Sequence, residues 1–300
     1  MTATRLRAFA PAKVNLYLHV APPTPDGMHP VASLMVFADV GDILTAEPGG
    51  RGVTLEIGGR FAPDLAELDP SRNLIVRAAR RLAELMGAPE PDVVFRLDKA
   101  LPTAAGLGGG SSDAGAALRL TAQVLGLSPD DPRLAQVAGE LGADGPACLA
   151  AGPVLGLGRG DLLEPPPRLP LLHAVLVNSG ALSPTGGVYR AYDAAGAPGN
   201  AEPLALADDL DGPALAARLA FGRNDLESPA AALTPAVAET LALVMEQAEA
   251  RLTRLSGSGA TVFALCDSQA DAAQLATRLG AFRPEWWVKV CRLGGPWPQA

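Results

Sequence analysis

PTAAGLGGGSSDAG, residues 102–115, is the stretch on which the reading of this chain turns. Gly106, Gly108, Gly109 and Gly110 give a backbone free to bend sharply and to lie close against a ligand. The Ala- and Leu-rich run from about residue 112 to 125 has the composition of a helix. Loop and helix together aim unpaired N–H groups and the positive end of a helix dipole at one point, which makes a cradle for phosphate. The plainer alternative is a flexible loop before a helix capped by Ser112. Leu107 inside the glycine run, and Ser111 and Ser112 at the helix start, favour the cradle. No lysine follows the glycines as a P-loop requires, and Ser111 stands where a GxGxxG fingerprint needs its last glycine. A GxSxG elbow around Ser111 fails at Asp113.

Upstream, VVFRLDK (93–99) alternates as a strand, and LIVRAARRLAELMG (74–87) has helical spacing with Gly87 as its C-cap. GVTLEI (52–57), VASLMVFADV (31–40) and PAKVNLYLHV (11–20) read as strands. Alternation in the last puts Val14, Leu16, Leu18 and Val20 on one face, and Lys13, Asn15, Tyr17 and His19 on the other. That polar face is either wet or lines a site. PPTPDGMHP is a turn-rich loop.

Downstream, SPDDPRLAQVAGELG is a capped helix, and LGADGPACLAAG (141–152) carries Asp144, which reads as a turn or N-cap residue or as a base. GRGDLLEPPPRLP (158–170) breaks the pattern and sets a domain boundary near residue 165, giving domains 1–165 and 166–300. Beyond it come a strand (171–177), helices over 201–220 and 236–254, a glycine turn SGSGA (256–260) into a strand, the helix QADAAQLATRL and the strand WWVKVCRL. Strands and helices mixed in this way predict an α+β fold rather than a doubly wound sheet.

The 300 residues are 48% hydrophobic, with a formal net charge of −8. That balance, without a basic cluster, argues against a nucleic-acid partner. No apolar run approaches a membrane span of ~20 residues, and the N-terminus has no signal-peptide core. Cys148, Cys266 and Cys291 form neither a disulfide framework nor a zinc pattern, so a soluble protein of a reducing cytoplasm is expected. Of 24 Lys+Arg only Lys13, Lys99 and Lys289 are lysine, a hint that a retained ammonium has a task.

Three stretches taken in order, PAKVNLYL, PTAAGLGGGSSDAG and LSGSGATVFAL, resemble the three signature motifs of the GHMP kinases. PDGMHPVASLMVFADVGD, RNLIVRAARRL, LGADGPA and GRNDLE are similar to those members that phosphorylate a cytidine diphosphate polyol. The resemblance covers nearly the whole chain, least over residues 165–220 and the C-terminal tail. It implies a two-domain GHMP-kinase-like fold, with an N-terminal ribosomal-protein-S5-domain-2-like nucleotide domain and a C-terminal ferredoxin-like α+β domain. ATP and Mg²⁺ are the implied cofactors, and a small-molecule cytidine diphosphate polyol is the implied substrate.

The resemblance also implies site roles. Lys13 and Asp144 match the catalytic pair: Asp144 takes the proton of the substrate hydroxyl, and Lys13 opposes charge on the transferring phosphoryl group. Pro102, Thr103, Ala104, Ala105, Gly106, Leu107, Gly108, Gly109, Gly110, Ser111 and Ser112 wrap the triphosphate. Asn15 positions the substrate, Met28 and His29 meet the cytosine, and Ser258 and Gly259 lie near the phosphates or substrate. Thr185, Asn224 and Asp225 are further lining candidates. Two positions depart from the usual pattern. Met28 replaces an aromatic residue before the histidine, and a thioether still packs on a ring face. Asp113 stands where asparagine also occurs, and is expected to face away from phosphate or towards Mg²⁺. Metal ligands and oligomeric state are not legible. Other acceptors (homoserine, mevalonate, a sugar) and a non-catalytic nucleotide-binding regulator remain as alternatives. His29 and LGAD weigh against the first, and Lys13 with Asp144 against the second.

Overall fold

The computed structural model describes residues 5–196 and 199–298. Its spine is a long strand, Val31–Pro48. Antiparallel to it along one edge runs the strand Leu6–Val20, so these two are β1 and β2. The other edge of β2 is shared by three partners. Ile43–Pro48 pairs with β4 (Val93–Asp98), Phe37 and Ala38 with β10 (Trp287–Gly294), and Ser33–Met35 with β5 (Val154–Leu157). β3 (Val53–Gly58) lies parallel to β4, with α1 (Leu74–Leu85) crossing between them. On the far side of β10 come β7 (Leu172–Asn178), β9 (Val262–Cys266) and β8 (Leu252–Leu255), all antiparallel. Among the described residues the sheet has ten strands and reads β3-β4-β2-β10-β7-β9-β8, with β6 (Leu162–Glu164) hung on β5.

Helices cover this sheet because their apolar stripes have nowhere else to go. α1 starts where Asn73 Oδ1 accepts the Ile75 N–H, buries Ile75, Val76, Ala79 and Leu82, and stops before Gly87 at φ +63°. With α2 (Gly109–Val124) and α3 (Pro132–Leu141), it forms the N-terminal core against Leu44, Phe95 and Leu97. α4 (Gly145–Ala150) packs beside α2. A second core cluster joins Leu16 and Leu34 to Leu176, Trp287 and α6 (Gly212–Leu219). A third lies under α5 (Thr185–Ala194), α7 (Glu227–Leu233), α8 (Pro235–Met245) and α9 (Gln269–Phe282).

The α+β class is as expected, but four local expectations are corrected. The helix over 201–220 is confined to α6, which starts late because Asp211 Oδ1 caps the Ala214 N–H. The apolar stripe of 236–254 ends at Met245, and Leu252 belongs to β8, where pairing with Leu265 outweighs helical spacing. α2 starts at Gly109, and Ser112 does not cap it: its buried hydroxyl donates to the Pro11 carbonyl at 2.6 Å. In β1 the register shifts between Pro11 and Lys13, and again between Asn15 and Tyr17. An irregularity resets the alternation of faces, so Tyr17 joins the core with Leu16 instead of sharing a face with Lys13 and Asn15. Neither face is wet, for Lys13, Asn15, Tyr17 and His19 are all buried.

Candidate active site

Residues 102–111 owe their path to two glycines in the left-handed region, Gly106 at φ +74° and Gly108 at φ +61°. A side chain at Gly106 would place its Cβ 2.3 Å from the Ser256 carbonyl and 2.8 Å from that of Gly259. The two glycine turns are therefore in direct contact. Thr261 N–H donates to Ala105 O at 3.0 Å, and Ser256 Oγ donates to Gly106 O at 2.9 Å. Gly108 turns the chain into α2, where Ser112 N–H is the donor to Gly108 O. The N–H groups of Gly109, Gly110 and Ser111, in the first turn, have no partner within the helix.

Lys13 is stitched to this loop through its own N–H, which donates to Leu107 O at 2.8 Å. Its buried ammonium lies 2.9 Å from both carboxylate oxygens of Asp144. Asp144 occupies the N-cap position of α4 yet caps nothing, because its carboxylate is turned to Lys13. Arg119 fixes the two bearing elements together. Its guanidinium donates to Leu149 O in α4 and to Phe9 O in β1, both at 2.9 Å, and burial lowers its pKa to about 10. Asn15 Nδ2 donates to Ser33 Oγ at 2.8 Å, while its buried Oδ1 has no partner.

A second buried lysine, Lys99, lies under Gly109 and donates to Asp42 at 2.5 Å and Asp113 at 2.7 Å. Against the burial that lowers it, Asp113 and Asp42 raise the Lys99 pKa. Burial pushes the Asp113 carboxyl up to about 7. Asp113 thus turns its carboxylate to Lys99 and is buried beneath the loop. Lys99 and Asp42 went unassigned at the sequence level; the rarity of lysine was the one signal pointing to Lys99.

The opposite wall is aromatic. The His29 ring lies 4.9 Å from that of Tyr189 and 5.8 Å from that of Tyr192, centroid to centroid. His29 Nδ1 is 3.0 Å from Ala21 O, and Nε2 is 3.4 Å from Asp193. Met28 sits on the rim, 41% exposed. Burial pushes the Tyr189 hydroxyl up to about 12. Thr185 Oγ1 is 2.8 Å from Ser258 Oγ. Tyr189 also escaped sequence reasoning, although GGVYRAYD (186–193) sets Tyr189 and Tyr192 one helical turn apart.

These parts bound one cavity of about 880 Å³, the size of a small-molecule site. Lys13, Asn15, Met28, His29, Asp144, Thr185 and Ser258 line it, as do residues 102–106 and 108–111, together with Lys99, Asp113 and Tyr189. The structure does not bring Leu107, Ser112 or Gly259 to its wall: Leu107 and Ser112 point into the interior. Asn224 and Asp225 also stand outside. Asn224 Nδ2 donates to Leu255 O and Gly257 O, holding the second turn, and Asp225 accepts the Val20 N–H. Among the described residues no helix is long and apolar enough to cross a membrane. A row of free N–H groups, an ammonium against a carboxylate and an aromatic wall in one cleft suit phosphoryl transfer to a hydroxyl.

Comparison with known proteins gives the same picture. The model "GHMP kinases N terminal domain" matches residues 73–152, and "GHMP kinases C terminal" matches 205–284. A 4-diphosphocytidyl-2-C-methyl-D-erythritol kinase of a Caulobacter species is 53% identical over 294 residues, covering 97% of this chain and 99% of that protein. The kinase of the same name from Xanthobacter autotrophicus is 48% identical, covering 95% and 97%. A crystal structure of 4-(cytidine 5'-diphospho)-2C-methyl-D-erythritol kinase superposes with a TM-score of 0.75 at 33% identity, covering 97% of this chain and 100% of that one. Homoserine kinase from Cytophaga hutchinsonii, at 18% identity and a TM-score of 0.67, shares the fold. The chain belongs to the GHMP kinases, and it is an ATP-dependent phosphotransferase.

Proposed function

We propose that this chain transfers the γ-phosphoryl group of ATP to the 2-hydroxyl of 4-diphosphocytidyl-2-C-methyl-D-erythritol, a step of the non-mevalonate route to isoprenoid precursors. The observation that carries the reading is the Lys13–Asp144 pair at 2.9 Å, set at the glycine loop in the same cavity as the His29–Tyr189 wall. Asp144 accepts the proton of the attacking hydroxyl, a role that in general base catalysis gives about 10²–10⁴-fold. Lys13 orients that carboxylate and offsets charge on the phosphoryl group in flight. Asn15 Oδ1, buried and unpartnered, awaits a donor from the acceptor alcohol. The N–H groups of residues 109–111 and the α2 dipole hold the phosphates. His29 and Tyr189 take the cytosine, so the ring face that Met28 does not offer comes from Tyr189.

The cavity carboxylates do not form a cage for Mg²⁺. Asp113 pairs with Lys99, Asp144 with Lys13 and Asp193 with His29, and among the described residues no group of three metal-type ligands stands together. Mg²⁺ is proposed to enter on the phosphate oxygens of ATP, where it lessens their charge. We also place the lobe boundary near residue 165, between the two family-model matches, and the protein in the cytoplasm, where its buried cysteines stay free thiols.

The test is ADP release with Mg-ATP across 4-diphosphocytidyl-2-C-methyl-D-erythritol, homoserine, mevalonate and galactose. Turnover with the cytidine compound alone is expected. Turnover with another alcohol would discard the substrate and keep the chemistry. ATP binding without turnover on any of them would favour a regulator.

A further inference from the structure

The cations on the cavity wall fall into two sets. Lys13 faces Asp144, Lys99 faces Asp42 and Asp113, His29 faces Asp193, and Arg159 faces Asp161. Each of these has a carboxylate partner before any ligand arrives. Arg72 and Arg190 also line the cavity, and among the described residues neither guanidinium has a hydrogen bond or an ion pair. These two are the cations free to meet an incoming anion.

They stand on different walls. Arg72 precedes Asn73 and Leu74, and Leu74 Cδ1 lies against the glycine loop, 3.6 Å from where a Cβ on Gly110 would stand. That is the nucleotide side. Arg190 follows Tyr189 on α5. Its side chain folds back along the helix to the preceding turn, where Gly186 and Gly187 leave the surface bare. A Cβ on Gly186 would stand 3.4 Å from Nη1, and one on Gly187 3.9 Å from Nη2. Along the helix axis the guanidinium therefore sits between Tyr189 and Thr185, whose hydroxyl meets that of Ser258 at 2.8 Å.

The chemistry of the acceptor fits this place. In a cytidine diphosphate polyol the diphosphate joins the nucleoside to the polyol. With the base on the His29–Tyr189 wall and the reacting hydroxyl at Lys13–Asp144, the diphosphate crosses the stretch between them, which Thr185 and Arg190 front. The chain itself carries a formal net charge of −8, so an anion entering here needs a local cation. A paired cation must loosen its carboxylate to serve, whereas a free guanidinium offers a planar fork of N–H donors that matches phosphate oxygens. We propose that Arg190 is a specificity-determining residue that grips the diphosphate of the acceptor, and so favours a cytidine diphosphate ester over a bare nucleoside or alcohol. Its guanidinium donates to the phosphate oxygens while the ring of Tyr189, the preceding residue, holds the base. Arg72, on the nucleotide side, has no part in it. The inference rests on the cytidine diphosphate reading of the acceptor site.

Calorimetric titration of cytidine diphosphate and of cytidine into the intact protein tests both. A non-hydrolysable ATP analogue is kept at saturation, so that each probe has only the acceptor site to fill. Arg190 is exposed and unpaired, so Arg190→Gln should fold as the wild type does. The expected result is a Kd for cytidine diphosphate about tenfold higher in Arg190→Gln, with the Kd values for cytidine and for the ATP analogue unchanged. Arg190→Lys should recover part of the loss, because it keeps the charge and gives up the fork. Cytidine diphosphate binding should also depend less on salt in Arg190→Gln. An unchanged Kd for cytidine diphosphate, or equal losses for cytidine diphosphate and cytidine, would overturn the inference and leave the cytidine site standing. Wild-type protein that holds the ATP analogue but binds neither probe would overturn the cytidine reading, and the inference with it.

Discussion

Gly106 and Gly110 stand four positions apart in one glycine run, yet alanine should do opposite things at the two. At Gly106 the new Cβ meets backbone at 2.3, 2.8 and 2.9 Å, on Ser256 and Gly259, and φ is +74°. None of these atoms can swing away as a side chain would. The left-handed conformation costs alanine about 1–2 kcal/mol, and overpacking against rigid neighbours costs about 1–3 kcal/mol. Gly106→Ala should therefore lose about 2–5 kcal/mol, or about 3–8 °C in Tm for a chain of this size. ATP affinity should fall with it, because the loop moves off the turn that supports it. At Gly110 the nearest atom is Leu74 Cδ1 at 3.6 Å, an ordinary contact within a helix. There alanine should be neutral or stabilising by up to about 1 kcal/mol. Urea and thermal unfolding of both variants, with ATP titrations, decide the matter. A Gly106→Ala protein as stable as Gly110→Ala would refute contact between the two turns as the constraint.

Other substitutions separate the parts of the site. Asp144→Asn should fold and bind ATP while turnover drops by about 10²–10⁴-fold; near-normal turnover removes Asp144 as the base. Tyr189→Ala should raise the KM for the cytidine substrate while Tyr189→Phe leaves it nearly unchanged, since the ring face and not the hydroxyl is used; equal effects would deny the stacking role. Met28→Tyr should tighten or preserve that KM, and a large loss would place Met28 away from the cytosine. Asp113 is raised in the folded state, from 3.8 to about 7, so the native state holds the extra proton between these values. Its contribution to stability is present below pH 4 and is lost as pH rises through about 7. Urea midpoints of Asp113→Asn should thus gain on the wild type more near pH 8 than near pH 5; an equal gain at both would contradict the raised carboxyl.

The strands and helices were legible wherever a one-sided pattern met a capping residue, as at Gly87. The misreadings have physical causes. The register shift between Asn15 and Tyr17 lies in pairing with β2, which a single strand's alternation cannot express. Leu252 continues a helical stripe but finds a strand partner in Leu265. Lys13 and Asp144, 131 residues apart, were found through motif order rather than local spacing. Lys99 and Asp42 were missed because a buried ion cluster leaves no periodic trace. The scarcity of lysine was nevertheless informative: in a chain that uses arginine almost throughout, two of the lysines are buried at the cavity and Lys289 alone stands on the surface.

β10 pairs with β7 from Trp287 to Leu293 but with β2 only at Leu293 and Gly294. The ladder across this join is short, and what laces it lies beside the ladder. Arg254 of β8 donates to Leu16 O at 2.7 Å, Arg292 of β10 donates to Asp39 of β2 through its N–H and its guanidinium, and the Val20 N–H donates to Asp225. The apolar cluster that sets Leu16 and Leu34 with Leu176 and Trp287 fills the space between these ties. Apolar packing alone is non-directional and permits slight shear; directional bonds resist it. Lys13 and Asn15 ride on the first half of the sheet and Ser258 on the turn before β9 of the second, so these cross-ties set the width of the cleft.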